Sequence, residues 1–242
     1  MTQAPKGGET LDAKMSAKEL TSYEWEGMRD GGDRALFEGS EPIKVTVGAG
    51  SEQKTWYLPK KLLTHCSPFF DAALNGNFVE ARSQAVNLPE DDPIIHEIWA
   101  TWLSLGNCNG SFRFIDPDQT YTRAWILGDK LACPAFKDHV MSRLLDWFDS
   151  NGWFCIDTIE LVYQGSSPGS KLRWFFVDCF AWDKLNGFLN HNTDEIIMFL
   201  RDMREFSEDV VRREVEAGTE TNLSPVEKKH LYYENPAFEP DA

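Results

Sequence analysis

The sequence predicts an α+β fold, with three short strands in the first part of the chain and a long succession of helices after them. Three observations predict it. Ile43-Lys-Val-Thr-Val47 alternates apolar and polar residues, the period of a half-buried strand. Thr55–Leu58 and Ala85–Leu88 are further short β-prone runs, closed by Pro59 and Pro89. From Ile94 onward, apolar residues recur at steps of three and four, the period of amphipathic helices.

The elements follow in order. Residues 1–15 are polar and contain glycine, and read as a mobile tail. Residues 16–37 carry helix formers broken at Gly31-Gly32, which predicts two short helices. Residues 1–40 are thus an N-terminal tail with short helices. Gly48-Ala-Gly50-Ser51 is a turn, so the first two strands read as a hairpin with a long loop. Pro59 ends the second strand and can open a short helix over Lys60–His65. Ser67 is placed to cap the next helix, with Pro68 at its first position and Phe69, Phe70 and Ala73 on one face. Asn75-Gly76-Asn77 ends that helix.

Asp91-Asp92-Pro93 announces another helix, with a carboxylate near the N-cap and proline in the first turn. Its apolar stripe is Ile94, Ile95, Ile98, Trp99, Trp102 and Leu103. Gly106–Gly110 reads as a loop and Phe112–Ile115 as a short strand. A helix over 118–132 turns Tyr121, Ala124, Trp125, Gly128 and Leu131 to one side. A helix over 135–148 turns Phe136, Val140, Leu144 and Phe148 inward. Three further helices are predicted, roughly over 154–164, 170–189 and 193–216. Thr193 caps the last, and Ile196, Phe199, Leu200, Met203, Phe206 and Val210 stand in register. Residues 218–242 are polar and acidic, with Pro225, Pro236 and Pro240, and read as a disordered tail.

Composition bounds the function. A chain of 242 residues suits one domain plus an appended element, or two small domains. The net charge of -15 repels phosphate backbones and anionic membrane surfaces. Basic residues gather only in pairs such as Lys60-Lys61, Arg212-Arg213 and Lys228-Lys229, so direct nucleic-acid binding is not expected. The five cysteines are widely spaced and form no C-x-x-C pair, which favours reduced, mostly buried thiols in an intracellular protein. The start MTQAPKGGETLDAK has no apolar core of a signal peptide. No apolar run approaches the ~20 residues that span a bilayer. A soluble protein of cytoplasm or nucleus, without membrane contact, is expected.

The sharpest chemical motif is Gly165-Ser-Ser167-Pro-Gly169, which fits the G-x-S-x-G of hydrolases. There the residue after the serine lends its N–H to the oxyanion hole, and here that residue is Pro168, which has none. A loop between helices is the better reading. His65-Cys66 are adjacent, about 100° apart on a helix, and do not pair as base and nucleophile. His96, His139, His191 and His230 are scattered without metal-ligand spacing. Asp91-Asp92 and Asp194-Glu195 read as first-turn acids favoured by helix dipoles. Gly48-Ala-Gly50 lacks the further glycine of a phosphate-binding loop. No catalytic, metal or cofactor-binding residue is therefore assigned, and an enzyme is not expected. Trp99, Trp102, Trp125, Trp147, Trp174 and Trp182 divide between the core and any partner surface in a way the sequence leaves open.

Three segments in fixed order carry a family resemblance. The first is Ile43-Lys-Val-Thr-Val-Gly48 with Leu58-Pro-Lys-Lys-Leu-Leu63 and Ser67-Pro-Phe-Phe70. The second is Asn77-Phe-Val-Glu80 leading to Val86-Asn-Leu-Pro-Glu-Asp-Asp92. The third is Ala124-Trp-Ile-Leu-Gly-Asp-Lys-Leu131 with Pro134-Ala-Phe136. Together they resemble the BTB/POZ family, most closely its fungal variety, over residues 41–149. Thr158–Trp182 resembles the helical extension of those fungal proteins, which places that extension at 150–217. The resemblance implies a small three-stranded sheet covered by a helical cluster, and a domain that works by binding proteins, usually itself first.

Many members homodimerise, some bring substrates to a cullin-type ubiquitin ligase, and others act in transcriptional regulation. An oligomerising scaffold or adaptor is the leading expectation. A substrate adaptor of a cullin-type ligase and a transcriptional regulator acting through protein partners are the alternatives. The implied partners are proteins: a second copy in a homodimer, or a cullin scaffold. Pro42 and Pro59 stand where the family often has Asp and His, and that Asp commonly supports the dimer interface. In ligase adaptors a hydrophobic-x-Glu element precedes the third strand, and Phe78-Val79-Glu80 matches it in type and place. Phe78 and Glu80 are thus the candidate partner-binding residues, the ring as an anchor and the carboxylate fixing orientation. The rival reading has Phe78 covering the edge of the core.

Overall fold

The computed structural model describes residues 34–107, 116–152, 154–186, 193–217 and 223–239. The fold is α+β. Strands β1 (Pro42–Val47), β2 (Lys54–Pro59) and β3 (Ala85–Leu88) form one sheet in the order β2-β1-β3. β1 pairs antiparallel with β2 and parallel with β3. A parallel pair needs a crossover, supplied here by β2 and then three short helices: α2 (Lys60–Cys66), α3 (Pro68–Asn75) and α4 (Val79–Ser83). Alternation sorts the sheet faces: Ile43, Val45 and Val47 are fully buried, while Lys44 and its cross-strand partner Tyr57 face outward. Pro42 and Pro59 stand opposite each other and close one end of the β1–β2 pair. Neither ring has an N–H to extend the ladder.

Local signals place the helices. Ser67 accepts a hydrogen bond from the Phe70 N–H at 3.3 Å, capping α3, and its hydroxyl donates to the Leu131 carbonyl. Asp92 caps α5 (Pro93–Leu105) by accepting from the Ile94 N–H at 2.8 Å, and Gly106 closes it in the left-handed region. α6 (Pro117–Lys130) and α7 (Pro134–Asn151) each begin on a proline, whose missing N–H costs nothing in a first turn. α8 (Ile156–Gly165) and α9 (Lys171–Asn186) follow. One further helical turn precedes the sheet at Arg34–Phe37 (α1). The remainder of the expected helices over 16–37, and the expected strand Phe112–Ile115, lie outside the described residues.

Some expectations are corrected. The expected single helix over 193–216 is two, α10 (Thr193–Asp202) and α11 (Arg204–Ala217). At the break the Ser207 hydroxyl donates to the carbonyls of Leu200 and Met203, back-bonding of a kind that accompanies helix bends. α4 was not expected as a helix. Ile94, placed in the α5 core stripe, is 56% exposed.

The expected disordered tail is also corrected, for residues 223–239. This segment folds onto α7 and α9, with Tyr232 and Tyr233 buried. The Tyr232 hydroxyl donates to Asp178 at 2.7 Å. Asp138 accepts from the N–H groups of Glu234 and Asn235, and Lys171 donates to the Leu231 carbonyl at 2.7 Å. Polar composition suggested disorder, but two aromatic side chains and four tethers to buried or half-buried partners hold the segment down.

One hydrophobic core runs from the sheet through α5–α7 to α9 and α11. Phe70 stacks on Trp99 at 5.3 Å. Phe154 bridges the two halves of the chain, 5.7 Å from Phe148 of α7 and 4.4 Å from Phe176 of α9, ring centre to ring centre. Trp99, Trp102 and Trp125 are core, and burying each contributes on the order of 2–3 kcal/mol. Trp174 is 40% exposed.

Candidate protein-binding site

The Phe78-Val79-Glu80 element sits between α3 and β3. Gly76 ends α3, its N–H returning to the Ala72 carbonyl at 3.0 Å. A Cβ at Gly76 would lie 2.4 Å from that carbonyl and 3.1 Å from the Phe78 ring, so glycine lets the ring fold back over the helix end. Phe78 occupies the N-cap of α4, and Glu80 lies in its first turn, where the helix dipole favours a carboxylate. Gln84 ends α4 with φ 51°, and its side-chain amide donates to the Ala81 carbonyl at 2.6 Å. The Gln84 carbonyl then receives the Lys44 N–H at 3.2 Å. The element is therefore fixed to the sheet at one end and to α3 at the other.

Phe78 is 59% exposed and Val79 64% exposed, while Glu80 is half-buried. Phe70 and Leu74 of the preceding α3 are buried core residues, and Phe78 is not among the side chains packed against that core. The arrangement presents two adjacent apolar side chains with a carboxylate beside them. That chemistry suits an apolar pocket with a hydrogen-bond donor at its edge.

The motifs weighed for chemistry fall elsewhere. Gly165–Gly169 forms the connection between α8 and α9, and Ser167 accepts from the Ser170 N–H through its carbonyl at 3.1 Å. Arg173, buried, binds the carbonyls of Tyr163 at 3.0 Å and Ser166 at 2.7 Å, satisfying the end of α8. A Cβ at Gly165 would meet Ile126 at 2.5 Å, so this glycine permits the close approach of α8 to α6. His65 is exposed at the end of α2 and Cys66 half-buried. Asp92 is a helix cap, and Asp91 is paired with Lys130. Among the described residues no group of His, Cys, Asp and Glu is placed to hold a metal ion, and no cysteine is in a disulfide. No described helix is long and apolar enough to cross a membrane.

Sequence reasoning missed a second exposed apolar region, on α10 and α11. Ile197, Met198, Val211 and Val215 are all more than half exposed. The signal was present: these four are apolar yet outside the register that buries Phe199, Phe206 and Val210.

Comparison with models of known protein families finds no match to this chain, and comparison with curated proteins finds none.

Proposed function

We propose that this chain is a non-enzymatic protein-interaction module whose residues 41–149 form a BTB/POZ-type domain with a helical extension behind it. It would act as an oligomerising scaffold or adaptor in cytoplasm or nucleus, through protein partners and not through nucleic acid. The observation that carries the reading is the Phe78-Val79 pair, held out to solvent beside Glu80 on a braced helix. The mixed sheet with its crossover helices and covering helices supports it, since the resemblance implied a small sheet under a helical cluster. Engagement of a cullin scaffold is the more specific form, and transcriptional regulation through partners the alternative.

Co-purification of the full chain with a cullin scaffold tests the specific form. Wild type is expected to bind, and Phe78→Ala with Glu80→Ala to lose at least tenfold in affinity. A ring already exposed adds little to stability, so the Phe78→Ala change is expected to shift unfolding by less than about 0.5 kcal/mol. Absence of binding by wild type sinks the ligase form. Light scattering tests the scaffold form: a mass of two chains supports it, and a monomer at all concentrations removes self-association from the proposal.

A further inference from the structure

We propose that the groove where α10 meets α11 is a docking site for an acidic amphipathic helix of a partner protein. The groove is shallow and open, with a volume of about 470 Å³, Leu200 and Val211 as its apolar floor, and Arg201, Arg204, Arg212, Ser207 and Glu208 around them. A second apolar recess of about 290 Å³ adjoins it and shares Leu200 and Val211. Ile197 and Met198 on α10 and Val215 on α11 are further exposed apolar side chains of the same two helices, at 58%, 54% and 78% exposure.

Geometry selects a helix. Arg204, Glu208, Val211, Arg212 and Val215 are spaced at steps of about three and four, so they share one stripe of α11. That stripe runs for about 16 Å at 1.5 Å per residue, the length of three helical turns. An amphipathic helix laid along it meets the floor with residues at i, i+3, i+4 and i+7.

Charge selects its sign. The chain carries -15 overall, yet three arginines and one glutamate line this groove. Against that background the local excess of arginine favours an acidic partner over a basic one. Arg201 pairs with Asp202 at 3.3 Å and Arg204 with Glu208 at 2.7 Å, in exposed pairs that hold their arginines weakly. A partner carboxylate that binds a guanidinium through two hydrogen bonds competes well with such contacts. Nucleic acid has no use for the apolar floor and is repelled by the rest of the molecule.

The test is fluorescence anisotropy on the full chain with two labelled synthetic helices of about 16 residues, roughly four turns. Both carry leucine at the i, i+3, i+4, i+7 positions; one has glutamate elsewhere and the other lysine. The glutamate helix is expected to bind, and to weaken at least tenfold in Arg201→Glu/Arg204→Glu and in Val211→Asp. The lysine helix is expected not to weaken in the charge-reversed variant. All three replaced side chains are exposed, and circular dichroism confirms the fold of each variant. Failure of the glutamate helix to bind, or undiminished binding in both variants, overturns the proposal. So does a Val211-dependent doubling of mass with concentration, which gives the groove to a second copy. The result is independent of the Phe78 site, since Phe78→Ala is expected to leave the anisotropy titration unchanged.

Discussion

His96 lies on α5 with no exposed surface, between the rings of Trp56 and Trp99. Neither ring nitrogen has a hydrogen-bond partner. Burial pushes its pKa from 6.5 down to about 4, against the opposing pull of Asp91 and Asp92 and with the help of Lys130. Between those values the unfolded chain binds a proton that the folded chain does not, so stability falls as pH falls from 6.5 to 4. The total is on the order of 3 kcal/mol. Asp183 works in the opposite sense. Its buried carboxyl has an oxygen without a partner, and burial raises its pKa from 3.8 to about 6. Here the folded chain holds the proton, so stability falls as pH rises through that window. Urea unfolding at pH 4.5 and pH 6.5 separates the two. His96→Leu is expected to lose the acid-side destabilisation, and Asp183→Asn the base-side one. If both variants follow the wild-type pH profile, neither group titrates as its surroundings require.

At the scale of elements, the C-terminal segment and α11 are tied to α9 through one carboxylate. Asp178 accepts both Arg213 N–H bonds at 2.9 Å and the Tyr232 hydroxyl, with Lys228 at 3.6 Å. Burial alone would raise its pKa; the Arg213 and Tyr232 hydrogen bonds outweigh this and hold it below the ordinary value. Removing Arg213 takes away two charge-assisted hydrogen bonds and leaves Asp178 with the Tyr232 hydroxyl and Lys228, so Arg213→Met is expected to cost about 2 kcal/mol in chemical unfolding. Lys184→Met breaks the exposed pair with Glu214 and is expected to change stability by less than about 0.5 kcal/mol. Equal effects would contradict the difference in burial. The strands and most of the helices were legible because alternation and capping are local: Ser67, Asp92 and the prolines of α3, α5, α6 and α7 act within a few residues. The fold of the C-terminal segment 223–239 was not legible, because Tyr232 meets Asp178 across 54 positions and nothing near either residue announces the contact. The Met203 break was hidden for a related reason, since the apolar register continues unbroken through it. Of the candidate site, the sequence carried the residue types and their place before β3, but the exposure of Phe78 depends on its place at the start of α4, a helix that no local pattern announced.

On the scale of the whole molecule, the chain reads in sequence as a domain at 41–149 with an appended helical region at 150–217, but its core does not divide there. Phe148 and Phe154 stack across that boundary, and Phe154 continues to Phe175 and Phe176 on α9. Asp118 on α6 accepts from Thr158 on α8 at 2.7 Å, linking the two regions again through a buried hydrogen bond. Lys137 on α7 pairs with Glu234 of the C-terminal segment at 2.9 Å. A chain cut after residue 149 would expose Phe148 and leave Asp118 without its Thr158 partner. Each loss is of a size that matters against a total stability of about 5–15 kcal/mol. The full chain is therefore expected to unfold in a single calorimetric transition, with calorimetric and van't Hoff enthalpies equal. The 41–149 fragment is expected to lack that cooperative transition and to bind dyes specific for exposed apolar surface. Two resolved transitions in the full chain, or a cooperative melt of the fragment at the same temperature, would mean that the Phe154 bridge joins two independent folding units instead of closing one core.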